Sequence, residues 1–437
     1  MSALDELLSQ AFAHQKVGRF AEAEVAYIKA LELAPGRVSI QHNLAVVLAA
    51  RGDHAGALVL LDRALATEPG YASAHYNRGV ALQRLGRAGE AIVALARAAA
   101  IEPGHYEAHR ALGFLHLAEG ARGRALDHLA RTYELRRGED RDGTALASLT
   151  HASRAKLEHD AAQLRHIAGT KRDGRRFELL ARAYNEVALD FPAGISALSV
   201  DQLGLLGEDY NTAIHIAGAP EIAGGAVSPG LDSRAIAGAF RAGGGAISID
   251  SVLTPPALAS LQRFLLDSTI WHDFSHIGGF VATYLEDGLA CPLLLQIAAE
   301  LRVALPEILG PHPLSQAWAF KGLEGSAAVA AHADDAAVSV NLWLTPDAAN
   351  LEPGGGGLTI CRVPPPADWE IGGYDADTAA IDAFMEQHRS DTLIVPYAQN
   401  RAALFEAGLF HRSDAPHFAP GYASHRINLT LLYGRLS

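Results

Sequence analysis

The sequence predicts a multidomain chain of class α plus α+β: an N-terminal α-solenoid, then a jelly roll with buttressing helices. Three observations carry that prediction. The chain repeats itself every 34 residues from its start, with Pro35, Pro69 and Pro103 in register, as are Gly18, Gly52, Gly86 and Gly120 and Ala23, Ala57, Ala91 and Ala125. Beyond Gly245 the pattern changes to short apolar runs separated by Gly and Pro, as in strands. Finally, 437 residues with a 49% apolar fraction allow two or three domains with sizeable cores.

Each repeat position has a physical reading. The small residues Ala11, Ala45, Gly79 and Gly113, with Ala23 and its equivalents, let two antiparallel helices approach closely. The glycines fall in the turn between those helices, and the prolines end the second helix. Tyr27, Leu61, Leu95 and Leu129 fill the space between neighbouring hairpins. This pattern resembles the tetratricopeptide repeat, with four units over residues 1–137; the fourth has Arg137 where its terminal proline would stand. The resemblance implies a stack with a concave groove suited to a peptide or protein partner.

Composition excludes several classes. A formal net charge of −13 without a Lys/Arg run argues against a nucleic-acid or anionic-membrane partner, which would need clustered cations. Cys291 and Cys361 are the only cysteines, too few for a disulfide framework or a cysteine zinc site, so a metal would need His and carboxylate ligands. The first twenty residues lack a basic segment followed by an apolar one, and no apolar run approaches spanning length; the expectation is a soluble cytoplasmic protein.

Residues 138–245 read as a helical extension, with helical spacing over 145–167 and 175–191, and then as a linker rich in Gly, Ala and Pro. The third region, 246–437, opens with AISIDSVL. A helix follows, with Thr254 as N-cap and Pro255 at its first position, and then a second helix from Pro292 to Ala304. Strands are predicted at Gln316–Lys321, Val338–Leu344, Gly357–Val363, Asp391–Pro396, Arg401–Glu406 and Ile427–Tyr433. Many short strands behind a helical preface suggest a double-sheet jelly roll.

The chemistry concentrates in AHADDAAVSVNLWLTP, which holds His332 and Asp334 just ahead of an alternating strand. A His-x-Asp/Glu pair alone is weak, because roughly two arise by chance in this composition. His105 and Glu107 have the same spacing within the helical repeats, where residues two apart point to different sides. What strengthens the first pair is its company: glycines Gly354 to Gly357 leading into LTIC, His411 in LFHRSD, and Arg426 in HRINLTLLYG. In that order these parts resemble the iron(II)- and 2-oxoglutarate-dependent oxygenases, in particular their prolyl-hydroxylase-like branch. The distance of 15 residues from His411 to Arg426 is a little longer than is usual there.

The resemblance implies that His332, Asp334 and His411 ligate Fe(II) as a facial triad, the catalytic centre, leaving positions open for 2-oxoglutarate and O2. It implies too that Arg426 binds the distal carboxylate of 2-oxoglutarate by charge-assisted hydrogen bonds, with Asn428 and Asn341 completing the co-substrate pocket. Retention of Asp334 favours hydroxylation over halogenation. His425 faces away from Arg426, Arg401 reads as a salt-bridged strand end and Trp343 as core. The function expected is a dioxygenase hydroxylating a protein or peptide recruited by the repeats. Two alternatives stand: a scaffold with a non-catalytic metal site, and a small-metabolite hydroxylase whose repeats serve assembly.

Overall fold

The computed structural model describes residues 2–138, 147–171, 174–276, 279–366, 369 and 378–435. The chain divides into two compact units, Met1–His116 and Leu117–Ser437.

The first unit is a series of helical hairpins: α1 (Ala3–Lys16) with α2 (Phe20–Leu33), α3 (Val38–Ala50) with α4 (His54–Thr67), and α5 (Ala72–Arg84) with α6 (Ala88–Ile101). Most of α7 (Tyr106–Ala118) follows. Gly18, Gly52 and Gly86 take φ of 74°, 88° and 75°, left-handed values that glycine adopts without strain and that reverse the chain between helices. Ala11, Ala23, Ala45, Ala57 and Ala91 are fully buried, and Tyr27, Leu61 and Leu95 fill the gaps as the repeat predicts. Gly79 admits no side chain, since a Cβ there would lie 2.5 Å from Leu95 Cγ. The repeats also share a bond: Gln41 Nε2 donates to Pro35 O at 2.8 Å, and His75 Nε2, 34 residues on, meets Pro69 O at 3.0 Å.

The second unit opens with α8 (Arg122–Arg137), the last helix of the fourth repeat. Arg137, standing where a proline would end the helix, is 2% exposed. Its guanidinium grips both carboxylate oxygens of Asp287 at 3.0 and 3.1 Å. A short pair, β1 (His151–Ala152) with β2 (Ser196–Ala197), brackets α9 (Arg154–Thr170) and α10 (Gly174–Leu189). These two helices pack through Leu157, Leu164, Ile167, Phe177 and Tyr184. Beyond α11 (Val200–Leu206), the stretch read as a linker is an ordered strap that also contains α12 (Ser233–Ala242). Its Ile222 N–H donates to Gln296 Oε1 at 2.7 Å, and its Ala226 and Val227 N–H groups to Glu300 Oε2 at 2.7 and 2.8 Å.

The rest is β-rich: β3 (Ala246–Ile249), α13 (Pro255–Asp267), β4 (Phe280–Tyr284), α14 (Pro292–Ala304), β5 (Leu314–Gly322), β6 (Val329–His332) and β7 (Val338–Trp343). After these come β8 (Leu358–Cys361), α15 (Thr378–Gln387), β9 (Thr392–Val395), β10 (Ala402–Glu406), β11 (His411–Ser413) and β12 (Ile427–Tyr433). Thr254 is the N-cap residue of α13 as expected, but its side chain makes no capping bond; its hydroxyl donates instead to Gly225 O and Ala226 O in the strap. Six strands form one antiparallel sheet in the order β3-β10-β7-β12-β5-β4, and four form a second, β6-β11-β8-β9. Trp343, Ala403 and Phe405 of the larger sheet meet Leu358, Ile360 and Val395 of the smaller in one apolar core. On the larger sheet's other face point Leu429, Leu431 and Tyr433, whose hydroxyl reaches Ala298 O on α14 at 3.1 Å.

Candidate metal centre

His332 ends β6 and His411 begins β11, and antiparallel pairing sets the two directly opposite. Their rings lie 4.3 Å apart. The His-x-Asp pair thus differs from its expected setting: His332 belongs to a strand of its own, and its cross-strand partner is the second histidine. Asp334, just past the strand end, is placed by its N–H donating to Ala407 O at 2.9 Å. His332 Nε2 lies 3.9 Å from Asp334 Oδ1, and His411 Nε2 lies 3.7 Å from Asp334 Oδ2. One ligand atom from each residue falls within 4.8 Å of the others, the only such group of three or more among the described residues.

The hydrogen bonds around the triad orient it. His332 Nδ1 faces Ala330 O at 2.8 Å, and His411 Nδ1 faces Leu409 O at 3.0 Å. A carbonyl can only accept, so each Nδ1 carries the proton and each Nε2 presents a lone pair toward Asp334, the tautomer a metal requires. Ser339 donates its hydroxyl to Asp334 Oδ2 at 2.5 Å and restrains the carboxylate. Burial, and then the neighbouring His332, push His411 down to about 4, which keeps its imidazole neutral near pH 7. Donors at bond lengths of about 2.1 Å around one ion sit roughly 3 Å apart, so side-chain rotations of under an ångström or so would close this set on a metal. Two neutral imidazoles and a carboxylate suit a divalent first-row ion.

Arg426, 6% exposed, donates to Gly356 O at 2.7 Å and lies 3.5 Å from Asp414 O. No carboxylate pairs with it among the described residues. Burial pulls it down to about 10, so it remains a cation near neutrality. It therefore fits an anionic ligand. Arg426, one residue ahead of β12, falls in the same alternation as Asn428 and Thr430 on that strand, with Thr430 opposite Asn341 on β7. Asn341 Oδ1 accepts from Asn428 Nδ2 at 3.0 Å and from Thr430 Oγ1 at 2.7 Å. Asn428 thus spends its N–H groups inside the protein, and its buried Oδ1 lacks a partner. Asn428 is turned toward Asn341 and Thr430, which take up its donors.

Arg401 is the strand-end residue expected, pairing with Asp250 at 2.5 and 3.0 Å, and Trp343 is core. His425 is partly buried, its Nδ1 without a partner. Just ahead of α7, His105 Nδ1 lies 3.3 Å from Glu107 and accepts from the Ala108 N–H at 3.4 Å, and no third metal-ligating group joins the pair among the described residues. Sequence reasoning missed Ser339 and Thr430. Their one signal was the alternation that places them on the same face as Asn341 and Asn428.

Comparison with known proteins supports the repeats. Models described as TPR repeat and Tetratricopeptide repeat match residues 47–86 and residues 7–37 and 72–105. The N-terminal region is therefore a tetratricopeptide-repeat array. No curated protein matches the chain. Similar solved structures include a MamA RS-1 double mutant, 25% identical over 32% of this chain and 79% of that one, with a TM-score of 0.30. Another is the first TPR of Spaghetti bound to an HSP90 peptide, 25% identical over 26% and 92%, with a TM-score of 0.26. A third is an O-GlcNAc transferase mutant from Thermobaculum terrenum, 33% identical over 30% and 26%, with a TM-score of 0.27. No helix among the described residues is long and apolar enough to cross a membrane.

Proposed function

We propose that the second unit is an iron(II)- and 2-oxoglutarate-dependent dioxygenase of the jelly-roll, or double-stranded β-helix, class, and that it hydroxylates a protein or peptide bound by the repeats. One observation carries this reading: two imidazoles with free Nε2 lone pairs and one carboxylate converge on the same face that leads to a buried arginine lacking a carboxylate partner. Gly356, which Arg426 holds, lies four residues along the chain from Ile360, the cross-strand partner of His411. Arg426 is thereby held at the turn that leads into β8, the strand that pairs with His411.

His332, Asp334 and His411 would hold Fe(II), and Arg426 would hold the far carboxylate of 2-oxoglutarate. When bound, the iron and its co-substrate supply the oxidising power that inserts oxygen into a C–H bond. The chain's own part is placement. The carbonyls of Ala330 and Leu409 fix the imidazole tautomers, Ser339 restrains the carboxylate, and Arg426 orients the co-substrate in a unit whose charge is otherwise acidic. Trp318, partly exposed beside Ala336 and Leu432, forms part of the wall where a substrate would lie.

The test is anaerobic titration of Fe(II) and 2-oxoglutarate, followed by exposure to O2. The reading expects a metal-to-ligand charge-transfer band and then succinate. Both should vanish in His332→Ala, whose near-UV dichroism should stay native. Arg426→Gln should retain metal and lose 2-oxoglutarate affinity by roughly a hundredfold, the scale of one buried charge-assisted pair. The repeats favour one second reading, a scaffold whose metal site does not turn over. Metal binding without a charge-transfer band and without succinate would decide for it.

A further inference from the structure

We propose that the inner face of β4 and β5 is the specificity subsite of the candidate centre, and that it takes an apolar side chain of the substrate within about three residues of the one presented to the metal. The inference rests on the oxygenase reading and adds the chemistry of what is read. The larger sheet is six strands wide and the smaller four. Their shared core draws on β3, β7 and β10 of the larger sheet. At its other end β5 and β4 turn Trp318, Phe320 and Tyr284 inward, all partly exposed. Register sets these rings on the same face as the site. Trp318 stands opposite Thr430, itself opposite Asn341, and Phe320 stands opposite Asn428, while Tyr284 is the partner of Trp318 on the far side. The Trp318 indole packs on Ala336, Ala407 and Leu432. Ala407 O accepts the Asp334 N–H, and Leu432 lies opposite Ser339, which bonds the Asp334 carboxylate. β5 is two strands from β7, about 10 Å, which an extended peptide covers in three residues.

The polar groups beside these rings are spent on one another, and that selects the occupant. Tyr284 donates its hydroxyl to Asp273 Oδ2 at 2.9 Å, with His276 Nε2 2.9 Å from the same hydroxyl. Asp273 Oδ1 accepts from the Ser275 N–H at 2.9 Å and from its hydroxyl at 2.7 Å, and His276 Nε2 lies 3.2 Å from Oδ2, so the carboxylate is no open counter-ion. Gln316, next inward on β5, donates to Glu286 Oε2 at 3.2 Å and accepts the Ala317 N–H at 2.9 Å. A charged or amide side chain entering here would give up water for no new partner, whereas an apolar one gives up nothing. The surface is also set in advance. Phe320 makes edge-to-face contacts with His276 at 4.9 Å, Phe280 at 6.3 Å and Trp318 at 6.5 Å between centroids, an arrangement that holds each ring where it stands.

The test has a binding arm that needs no metal and a turnover arm that does. In the first, N-acetyl-leucinamide, N-acetyl-lysinamide and N-acetyl-glutaminamide are titrated against the metal-free full-length protein and followed by saturation-transfer NMR of the probe. The leucine probe should bind at least about tenfold more tightly than the other two. Trp318→Gln should weaken it by a similar factor while Fe(II) affinity stays native, and Phe320→Leu, which keeps the surface apolar, should stay within about threefold. In the second arm, a positional-scanning library of acetylated heptapeptides is incubated with Fe(II), 2-oxoglutarate and O2, and mass spectrometry locates the added oxygen. Oxidised members should carry an apolar residue at one fixed offset of up to three positions, and Trp318→Gln should raise KM more than it lowers kcat. A lysine or glutamine probe that binds as well as leucine, binding indifferent to Trp318→Gln, or turnover without an apolar preference overturns this inference and leaves the oxygenase reading standing. Leucine binding with neither a charge-transfer band nor succinate overturns that reading, and this inference with it.

Discussion

Each candidate ligand histidine is held by the carbonyl two residues before it, Ala330 for His332 and Leu409 for His411. That shared local bond makes the imidazoles competent before any ion arrives, whereas Asp334 depends on one side chain, Ser339. Ser339→Ala should therefore weaken Fe(II) affinity by about ten- to a hundredfold, as loss of an outer hydrogen bond does, and leave stability nearly unchanged. Calorimetric metal titration checks this. Lys321 is a contrasting case. It is fully buried, its Nζ has no hydrogen-bond partner, and it lies over the Tyr422 ring at 3.0 Å from the centroid. A cation–π contact offers up to about 2 kcal/mol, and desolvating the ammonium costs several. Burial accordingly holds Lys321 well below the usual lysine range. The native amine then sheds a proton that the unfolded chain keeps, so this cost to stability is largest at low pH and fades as pH rises toward about 10.4. Lys321→Met should raise the unfolding free energy by about 1–3 kcal/mol near neutrality, with a smaller gain at pH 10, read from urea melts.

The elements differed in how plainly they showed in the sequence. The repeat helices were legible because turn glycines, packing alanines and terminal prolines recur together. Of the strands, β3, β5, β7, β8, β9, β10 and β12 were visible from their apolar or alternating runs. By contrast β4, β6 and β11 were not: the first follows polar, glycine-containing sequence, and the other two are four and three residues long. Those short strands owe their form to pairing with partners far along the chain. This is also why the sequence named the candidate metal ligands through motif and order but did not show that His332 and His411 face each other. Nor did local pattern reveal that the Gly/Ala/Pro-rich strap is ordered, since its bonds end on α14. At β8 the turn leaves no room: a Cβ on Gly357 would lie 2.0 Å from Val395 O and 3.0 Å from Tyr397 N. Gly357→Ala should part β8 from β9 and cost roughly 2–4 kcal/mol, with 2-oxoglutarate binding weakened because the neighbouring Gly356 carbonyl anchors Arg426. Chemical denaturation and ligand titration of one variant test both effects.

For the whole molecule, two compact units imply two unfolding events. Helical signal should be lost in both steps, because α8 to α15 belong to the second unit, and tryptophan fluorescence in only one of them, since all four tryptophans lie in that unit. Fe(II) with 2-oxoglutarate under anaerobic conditions should move only the fluorescence step, by about 2.7 kcal/mol at a hundredfold excess over the dissociation constant. A common shift of both steps would show that the units melt as one.

The pairing of β6 with β11 has a further consequence, for time rather than affinity. About eighty residues separate His332 from His411, so an ion bound to both closes a long loop, whose entropy an unfolded chain gives up only late in folding. Metal-free protein would then reach its native sheets slowly. Once bound, the ion would act as a removable crosslink that slows escape from the fold, and chelation would set the lifetime of the second unit.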